Sequence, residues 1–303
     1  MANSGKMNTG NIPRLLQLGI DQQIQHFMKN YKGMGDEIFK SIKADKGFYE
    51  AVQLAGMGLA AVKGEGAPVE YDSVDQDWVY RWTVVTYAKA ARITMEAIKD
   101  NLYEDMIPRL AQQQAKGLAA TRDQLQANVL NSLSSTTGPD GVNIASASHP
   151  LQAGGTSSNL VSPAVSMSED AIEQMVLVCD AIKNPDGLVA DVQTRDLVVP
   201  IQLRFEADRI VNSKYRVASA DNDISAIYNQ NVIKRVLPWK RLSSATAFML
   251  TTDADNGFTI ARRQGVETRQ DSDPGTYDVL ISAFERYVNF IADFRGVVYN
   301  AGA

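Results

Sequence analysis

Few side chains in this 303-residue sequence are typed and spaced for chemistry. It holds two histidines, His26 and His149, and one cysteine, Cys179. A zinc site of ordinary type needs more His and Cys than that. His149 lies in a stretch of small polar residues, where hydrogen bonding within a loop outweighs catalysis. Val176, Leu177 and Val178 precede Cys179, which favours a buried, inert thiol over a reactive one. The run Asp253-Ala254-Asp255-Asn256-Gly257 resembles part of a calcium loop, but its glycine comes one position early for an EF-hand and no glutamate closes it. A hairpin tip accounts for it better. Glu70, Asp72, Asp75 and Asp77 are an acidic group that could hold a metal or act as general acids; a solvated arm, or one that meets basic residues on another copy, explains them better. Lys63, with Glu65 nearby, is notable because an extended arm could carry it to a neighbour. There is no G-x-S-x-G elbow, P-loop or G-x-G-x-x-G fingerprint. These residues predict no active site, no cofactor and no metal.

The totals narrow the class. Hydrophobic content of 45% and charged content of 21% are ordinary for a globular protein. A net charge of −5, with no basic run, argues against a dedicated nucleic-acid binder. The length suggests about two domains and ample chain to bury a core. A lone cysteine allows no intrachain disulfide, as expected of assembly in a reducing compartment. The N-terminal MANSGKMNTGN lacks the apolar centre of a secretory signal. The most apolar segment, Ala51 to Val62, falls short of the ~20 residues that span a bilayer. A soluble protein made inside a cell is expected, with no membrane partner.

The element able to organise the rest is a long helix from Tyr103 to Ser134. Leu110, Gln114, Leu118, Leu125, Val129 and Leu133 recur at spacings that share one face, and Leu130 widens it. Alanine and glutamine fill the remainder as good helix formers. Pro108 is tolerated in the first turn, and Gly138-Pro139 lie beyond the end. The rod from Ile107 to Leu133 is on the order of 40 Å long. Gly117 costs it about 1 kcal/mol relative to alanine, so packing must support the helix there.

Before this beam, Leu16, Ile20, Ile24 and Phe27 predict a short amphipathic helix closed near Gly33 and Gly35. Asp36 to Lys43 reads as a second helical piece through Ile38, Phe39 and Ile42. Such segments dock on their own body or on a neighbour's. Trp78, Tyr80, Trp82 and Val84 alternate with Val79, Arg81, Thr83 and Val85, the period of a strand. Leu59 to Tyr87 then reads as a two-stranded arm with an acidic part between its strands. A lone hairpin is marginal in water, so this one needs a surface, on another copy or on its own domain.

After the beam, residues 134–163 are rich in Ser, Thr and Gly and too long to be left unpacked. Ser168 caps a helix with Glu169 and Asp170 in its first turn and Ile172, Met175, Val176, Cys179 and Ile182 inward. Asn184-Pro185-Asp186-Gly187 ends it. Leu197 to Ile201 is a short strand in which Pro200 favours an edge or an end. Phe205 to Val211 is helical. Ala247–Leu250 and Phe258–Ala261 flank Asn256-Gly257, a hairpin signal. Val279 to Ala292 is amphipathic through Leu280, Phe284, Tyr287 and Ile291, and Val297 to Tyr299 adds a closing strand. The class is α+β, with any second domain an insertion.

In this order the features resemble the major capsid protein of tailed bacteriophages, of the HK97-type fold. KGEGAPVEYDSVDQDWVYRWTVVTYAKAARITMEAIKDNLYEDM resembles the extended loop and the approach to the spine helix, and the beam resembles that spine. PDGVNIASASHPLQAGGTSSN is similar to a loop common after the spine, although Asn143-Ile144-Ala145 departs from the usual bulkier pair. LVVPIQLRFEADRIVNS and FIADFRGVVYN also match. About four fifths of the chain is covered. The resemblance implies an N-terminal arm (1–55), an extended β-hairpin loop (56–92), a peripheral domain (93–185 and 264–303, with spine helix 103–134) and an inserted axial domain (186–263).

The same resemblance implies a structural, non-enzymatic subunit of an icosahedral or prolate head. Copies would form pentamers and hexamers in a shell around double-stranded DNA, held without sequence-specific contacts. A scaffolding protein, a portal and possibly a decoration protein are the implied partners. The location is the virion, after assembly in the host cytoplasm. Glu70, Asp72, Trp78 and Trp82 are expected at contacts between subunits, and Lys63 is a conceivable donor for an isopeptide crosslink. The alternatives are an encapsulin-like compartment shell, a tail or baseplate component, and a soluble α+β enzyme.

Overall fold

The computed structural model describes residues 22, 24–54, 56, 59–60, 62–66, 68–69, 71, 76–96, 106–216 and 223–303. Its frame is two four-stranded sheets with a long helix laid along the first. In chain order the first elements are the turn α1 (Gly35–Ile38), β1 (Lys40–Lys43), β2 (Phe48–Leu54), β3 (Gln76–Thr83) and β4 (Val85–Ile93). The long helix α2 (Met106–Asn131) follows, then the short β5 (His149–Pro150) and β6 (Thr156–Ser157), and α3 (Glu169–Asp180). The last part is β7 (Thr194–Pro200), α4 (Arg204–Asn212), α5 (Ala226–Gln230), β8 (Arg235–Trp239), β9 (Phe248–Thr252), β10 (Phe258–Ser272), β11 (Val279–Ile291) and β12 (Val297–Asn300). The first sheet runs β1-β10-β11-β4 and the second β12-β9-β7-β8.

α2 ends at Asn131, and turns carry the chain on from there. Ser132 Oγ takes the Asn128 carbonyl, while the Asn131 amide leaves the helix to bond Arg241 and Ser243. Residues 103–105 of the expected helix lie outside the described residues. The buried face is set by small residues: Ala111, Ala115, Ala119 and Ala127, with Leu118, Leu130 and Leu133. Leu110, Leu125 and Val129 are only partly buried at its margins. Alanines let the helix approach the sheet closely. Gly117 has its own cause: a Cβ there would lie 2.6 Å from Lys89 Nζ, which crosses over it from β4.

Three local readings change. Asp36 to Lys43 is not helical throughout. After one turn the chain extends as β1, pairing in parallel with β10 from Lys40↔Thr259 to Lys43↔Arg262. Val279 to Ala292, whose apolar spacing is that of a helix, is the strand β11, held between β10 and β4. Its alternate residues Ile281, Ala283, Glu285 and Tyr287 are the buried ones, which is a period of two. Asn256-Gly257 does not close a hairpin, because β9 and β10 belong to different sheets. The turn instead crosses the 3₁₀ segment Phe294–Gly296, where a Cβ on Gly296 would lie 2.5 Å from Gly257 Cα. Only two glycines permit that crossing, and the Asn256 carbonyl accepts the N–H groups of Ala292 (3.2 Å) and Asp293 (3.0 Å).

Elsewhere the pattern holds. Ser168 Oγ accepts the Ala171 N–H at 3.1 Å as the cap of α3. Pro200 ends β7, which is a central strand, so the end and not the edge is what accommodates it. β7 is buried from Asp196 to Pro200: Leu197 and Val199 face one apolar cluster and Val198 another. Residues 24–30 are helical, and Ile24, Phe27 and Met28 pack on α2 and β11 of the same chain. Leu16 and Ile20 lie outside the described residues. Among the described residues no helix is long and apolar enough to cross a membrane.

Candidate functional site

The expected hairpin is real, but its strands are displaced from Leu59–Tyr87. β2 begins at Phe48 and pairs with β3 in the register Phe48↔Thr83, Tyr49↔Trp82 and Ala51↔Tyr80. The period-2 run then divides at Val84, which is buried, and from Val85 the chain joins the first sheet as β4. The alternation could not show this break, since a strand that changes sheets keeps the same period.

The root of the hairpin is aromatic. Trp82 stacks on Phe290 of β11 with centroids 4.1 Å apart and planes 14° apart. Tyr49 stacks on the same ring at 5.4 Å, and Tyr80 tilts against Trp82 at 4.8 Å. Arg81 lies over Phe48 at 4.1 Å and donates to Glu50 at 2.7 Å. Trp82 thus has a surface within its own chain. Trp78 is half-buried beside a cavity of about 170 Å³ that Ala292 and Asp293 also line. Beside the root, Tyr80, Trp82, Leu125, Val129, Pro139 and Phe290 line an open groove of about 350 Å³.

The tip is different. Val62 is 99% exposed and Tyr71 94%, and Leu59 and Val69 are also exposed. No described residue covers them. Lys63 is exposed in the same stretch. Glu70, Asp72 and Asp75 lie outside the described residues; Asp77 lies in β3. The structure therefore brings Trp78 and Trp82 to the root and leaves Lys63 out at the tip. Phe205 on α4, Tyr228 on α5 and Ile224 just before α5 are exposed apolar side chains as well.

The other candidate residues are structural. His149 is fully buried and stacks on Phe294, 3.9 Å away. Its Nδ1 pairs with Asp140, and Nε2 meets Asn159 Oδ1 at 3.1 Å. Asn159 in turn donates to the Ile144 and Phe294 carbonyls, so the triad pins the loop after α2 to the C-terminal segment. Burial pushes the Cys179 thiol up to about 12, with Asp180 and Asp253 adding to it, and its Sγ points at the Val192 carbonyl. Asp253 accepts the Gln193 N–H at 2.8 Å and Asp255 pairs with Lys40 at 3.7 Å. Among the described residues no group of His, Cys, Asp and Glu could hold a metal.

One further cluster, of buried charge, lies between α2 and the first sheet. Arg122 on α2 and Glu285 on β11 are both buried and 3.5 Å apart. Asp36 of α1 reaches Arg262 at 3.2 Å and Arg122 at 3.7 Å. Burial pushes the Glu285 carboxyl up against the pull of Arg122 and Arg262. Burial, with Arg122 beside it, holds the Arg262 guanidinium down. A signal existed: Gln114, Leu118, Arg122 and Gln126 fall four apart, so the arginine had to share the core face.

Three comparisons bear on this arrangement. The family model described as phage capsid protein matches residues 79–300. The capsid of a native GTA particle superposes with a TM-score of 0.57 at 15% identity, covering 89% of this chain and 90% of its own. The procapsid protein of bacteriophage JBD30 gives 0.54 at 11% identity, covering 97% and 76%. A virus-like particle from Pyrococcus furiosus gives 0.55 at 9% identity, covering 93% and 97%. No curated protein matches the chain in sequence. At these identities the likeness is one of fold, and the fold is the HK97-like capsid fold.

Proposed function

This chain belongs to the phage capsid protein family, and from that premise we propose that it is the repeating wall subunit of a phage head. In this reading copies form pentamers and hexamers that close an icosahedral or prolate shell around packaged double-stranded DNA. The family gives the structural role; the observation in the chain itself that carries the assembly is the arm. Its root is fixed to the body by stacked rings, while its tip displays Val62 and Tyr71 almost fully to solvent. Large apolar side chains held out on a hairpin, where folding gains nothing from them, are what a second copy would bury.

The domain reading follows from the same premise: 93–185 with 264–303 as the peripheral part, 186–263 as the axial part, 56–92 as the loop reaching a neighbour and 1–55 as the N-terminal arm. Phe205, Ile224 and Tyr228 then face the shell's symmetry axes. Trp78, Glu70 and Asp72 would contact the next subunit, as would the outer face of Trp82, and Lys63 stands where a crosslink could form. Many modest contacts repeated around a closed shell suffice for stability. A net charge of −5 avoids holding the genome by its phosphates. A scaffolding protein, a portal and a decoration protein complete the assembly in the host cytoplasm.

Negative-stain microscopy of the expressed chain, alone and with its genomic neighbours, tests this. Closed shells or capsomers are expected. A small discrete oligomer with no particles at any concentration would overturn it. The rival is an encapsulin-like shell around protein cargo, which the likeness in fold to a virus-like particle does not separate from a phage head. Purified particles that contain a partner protein and no DNA would decide for it.

A further inference from the structure

We infer that the cavity between residues 24–36 and the first sheet is a binding site for inorganic phosphate. It measures about 480 Å³ and is lined by Arg122, Glu285 and Tyr287, which are 5%, 4% and 1% exposed. Arg262 and Asp36 line it as well, and Lys29 stands exposed at its rim. The charges do not balance: Arg122, Arg262 and Lys29 are three cations, Asp36 and Glu285 two carboxylates. Asp36 serves both arginines, at 3.2 Å from Arg262 and 3.7 Å from Arg122, while Glu285 meets Arg122 at 3.5 Å. Lys29 has no ion-pair partner among the described residues. One positive charge is left over, and the two guanidiniums crowd each other: burial and the charge of Arg122 hold that of Arg262 down. An anion between them relieves both.

The unmet hydrogen bonds decide which anion. Arg262 Nε, Glu285 Oε1 and the Tyr287 hydroxyl are buried with no hydrogen-bond partner among the described residues. Binding turns these atoms toward the cavity that their side chains line. Arg262 Nε can only donate and an ionised Glu285 can only accept, so the ligand must offer an acceptor to the first and a hydrogen to the second. Water does both but carries no charge. Sulfate, a carboxylate and the phosphodiester of a nucleic acid carry charge, but near neutral pH they have no hydrogen to give. Orthophosphate meets every requirement, because it keeps a P–O–H beside its charged oxygens. Arginine binds such oxygens through charge-assisted bonds, and lysine adds a point charge. Glu285 then selects by exclusion, since its bare oxygen repels any anion without that hydrogen. The site lies within one subunit and does not rest on the shell reading.

Equilibrium dialysis of the full chain against labelled phosphate, at neutral pH and constant ionic strength, tests this. Saturable uptake is expected, with sulfate or a short single-stranded oligonucleotide competing at least on the order of tenfold more weakly than unlabelled phosphate. Lys29→Gln, at the exposed rim, should weaken uptake roughly threefold with the fold intact. Arg262→Gln should weaken it by more than about thirtyfold. Glu285→Gln changes the preference instead: its amide N–H can donate to an oxyanion that has no hydrogen, so sulfate should compete as well as phosphate. No saturable uptake at millimolar phosphate overturns the site. So does sulfate or oligonucleotide competing equally in the parent, or undiminished uptake by Arg262→Gln. If Arg262→Gln fails to fold, Glu285→Gln decides alone, and an unchanged preference for phosphate there overturns the assignment.

Discussion

The second sheet and the polar cluster beneath α1 are both enclosed, yet they are built in opposite ways. Around β7 the chain encloses Leu197, Val198 and Val199 between two apolar clusters, with every one of them fully shielded. Beneath α1 it encloses Arg122, Glu285 and Arg262 around a polar cavity with atoms left unpartnered. Burial alone does not tell a rigid region from a movable one. Close-packed hydrocarbon resists any displacement, because each small shift opens a void. Imperfectly paired charge resists less, since water can replace what is lost.

The comparison breaks first at the apolar side. Leu197→Ala should cost about 2–5 kcal/mol of unfolding free energy, read by chemical denaturation of the subunit. A loss below about 1 kcal/mol would mean that this core can collapse around a hole, and that the second sheet is no more rigid than the polar cluster beneath α1. Trp82→Ala comes next and sharpens the contrast between root and tip. Half-buried but stacked on Phe290, Trp82 should cost about 1–3 kcal/mol, with loss of particle formation exceeding loss of fold. Normal shells of unchanged thermal stability would show that the arm needs no aromatic root. Reversing the charge of Glu70 and Asp72 together should leave folding within about 0.5 kcal/mol and make assembly depend on salt. Assembly indifferent to ionic strength would remove the electrostatic part of the tip contact.

How much of this was legible beforehand follows a physical rule. Elements whose signal is local were readable: the cap at Ser168, the turn at Asn184–Gly187, the long helix, and the strand period at Trp78–Val84. Elements decided by a distant partner were not. β11 carries a helical spacing of Leu280, Phe284, Tyr287 and Ile291, but pairing on both sides makes it a strand, and its buried set begins one residue later, at Ile281. Asn256-Gly257 carries a hairpin signal, and the need is instead a close crossing of Gly257 with the distant Gly296. The family could be recognised from order along the chain. The pairing of Asp36 with Arg262 could not, because the two stand 226 positions apart.

The smallest expected effect is the most discriminating, and it concerns Glu285. Burial raises its folded-state pKa above the ordinary 4.5, outweighing the opposite pull of Arg122 and Arg262. Between 4.5 and that raised value the folded chain holds a proton the unfolded chain has released, so stability falls as pH rises through this window and is highest below it. Glu285→Gln keeps the shape and an acceptor for Arg122, removes the titration, and leaves Asp36 as the arginines' counter-charge. It should flatten that part of the pH profile and leave stability at pH 7 unchanged or slightly higher, read by denaturation at several pH values. If the variant instead lost about 3–5 kcal/mol at pH 7, Glu285 would be the indispensable partner of a buried arginine. The polar cluster beneath α1 would then be as firmly held as the core of the second sheet, and the difference between the two regions would be one of composition only.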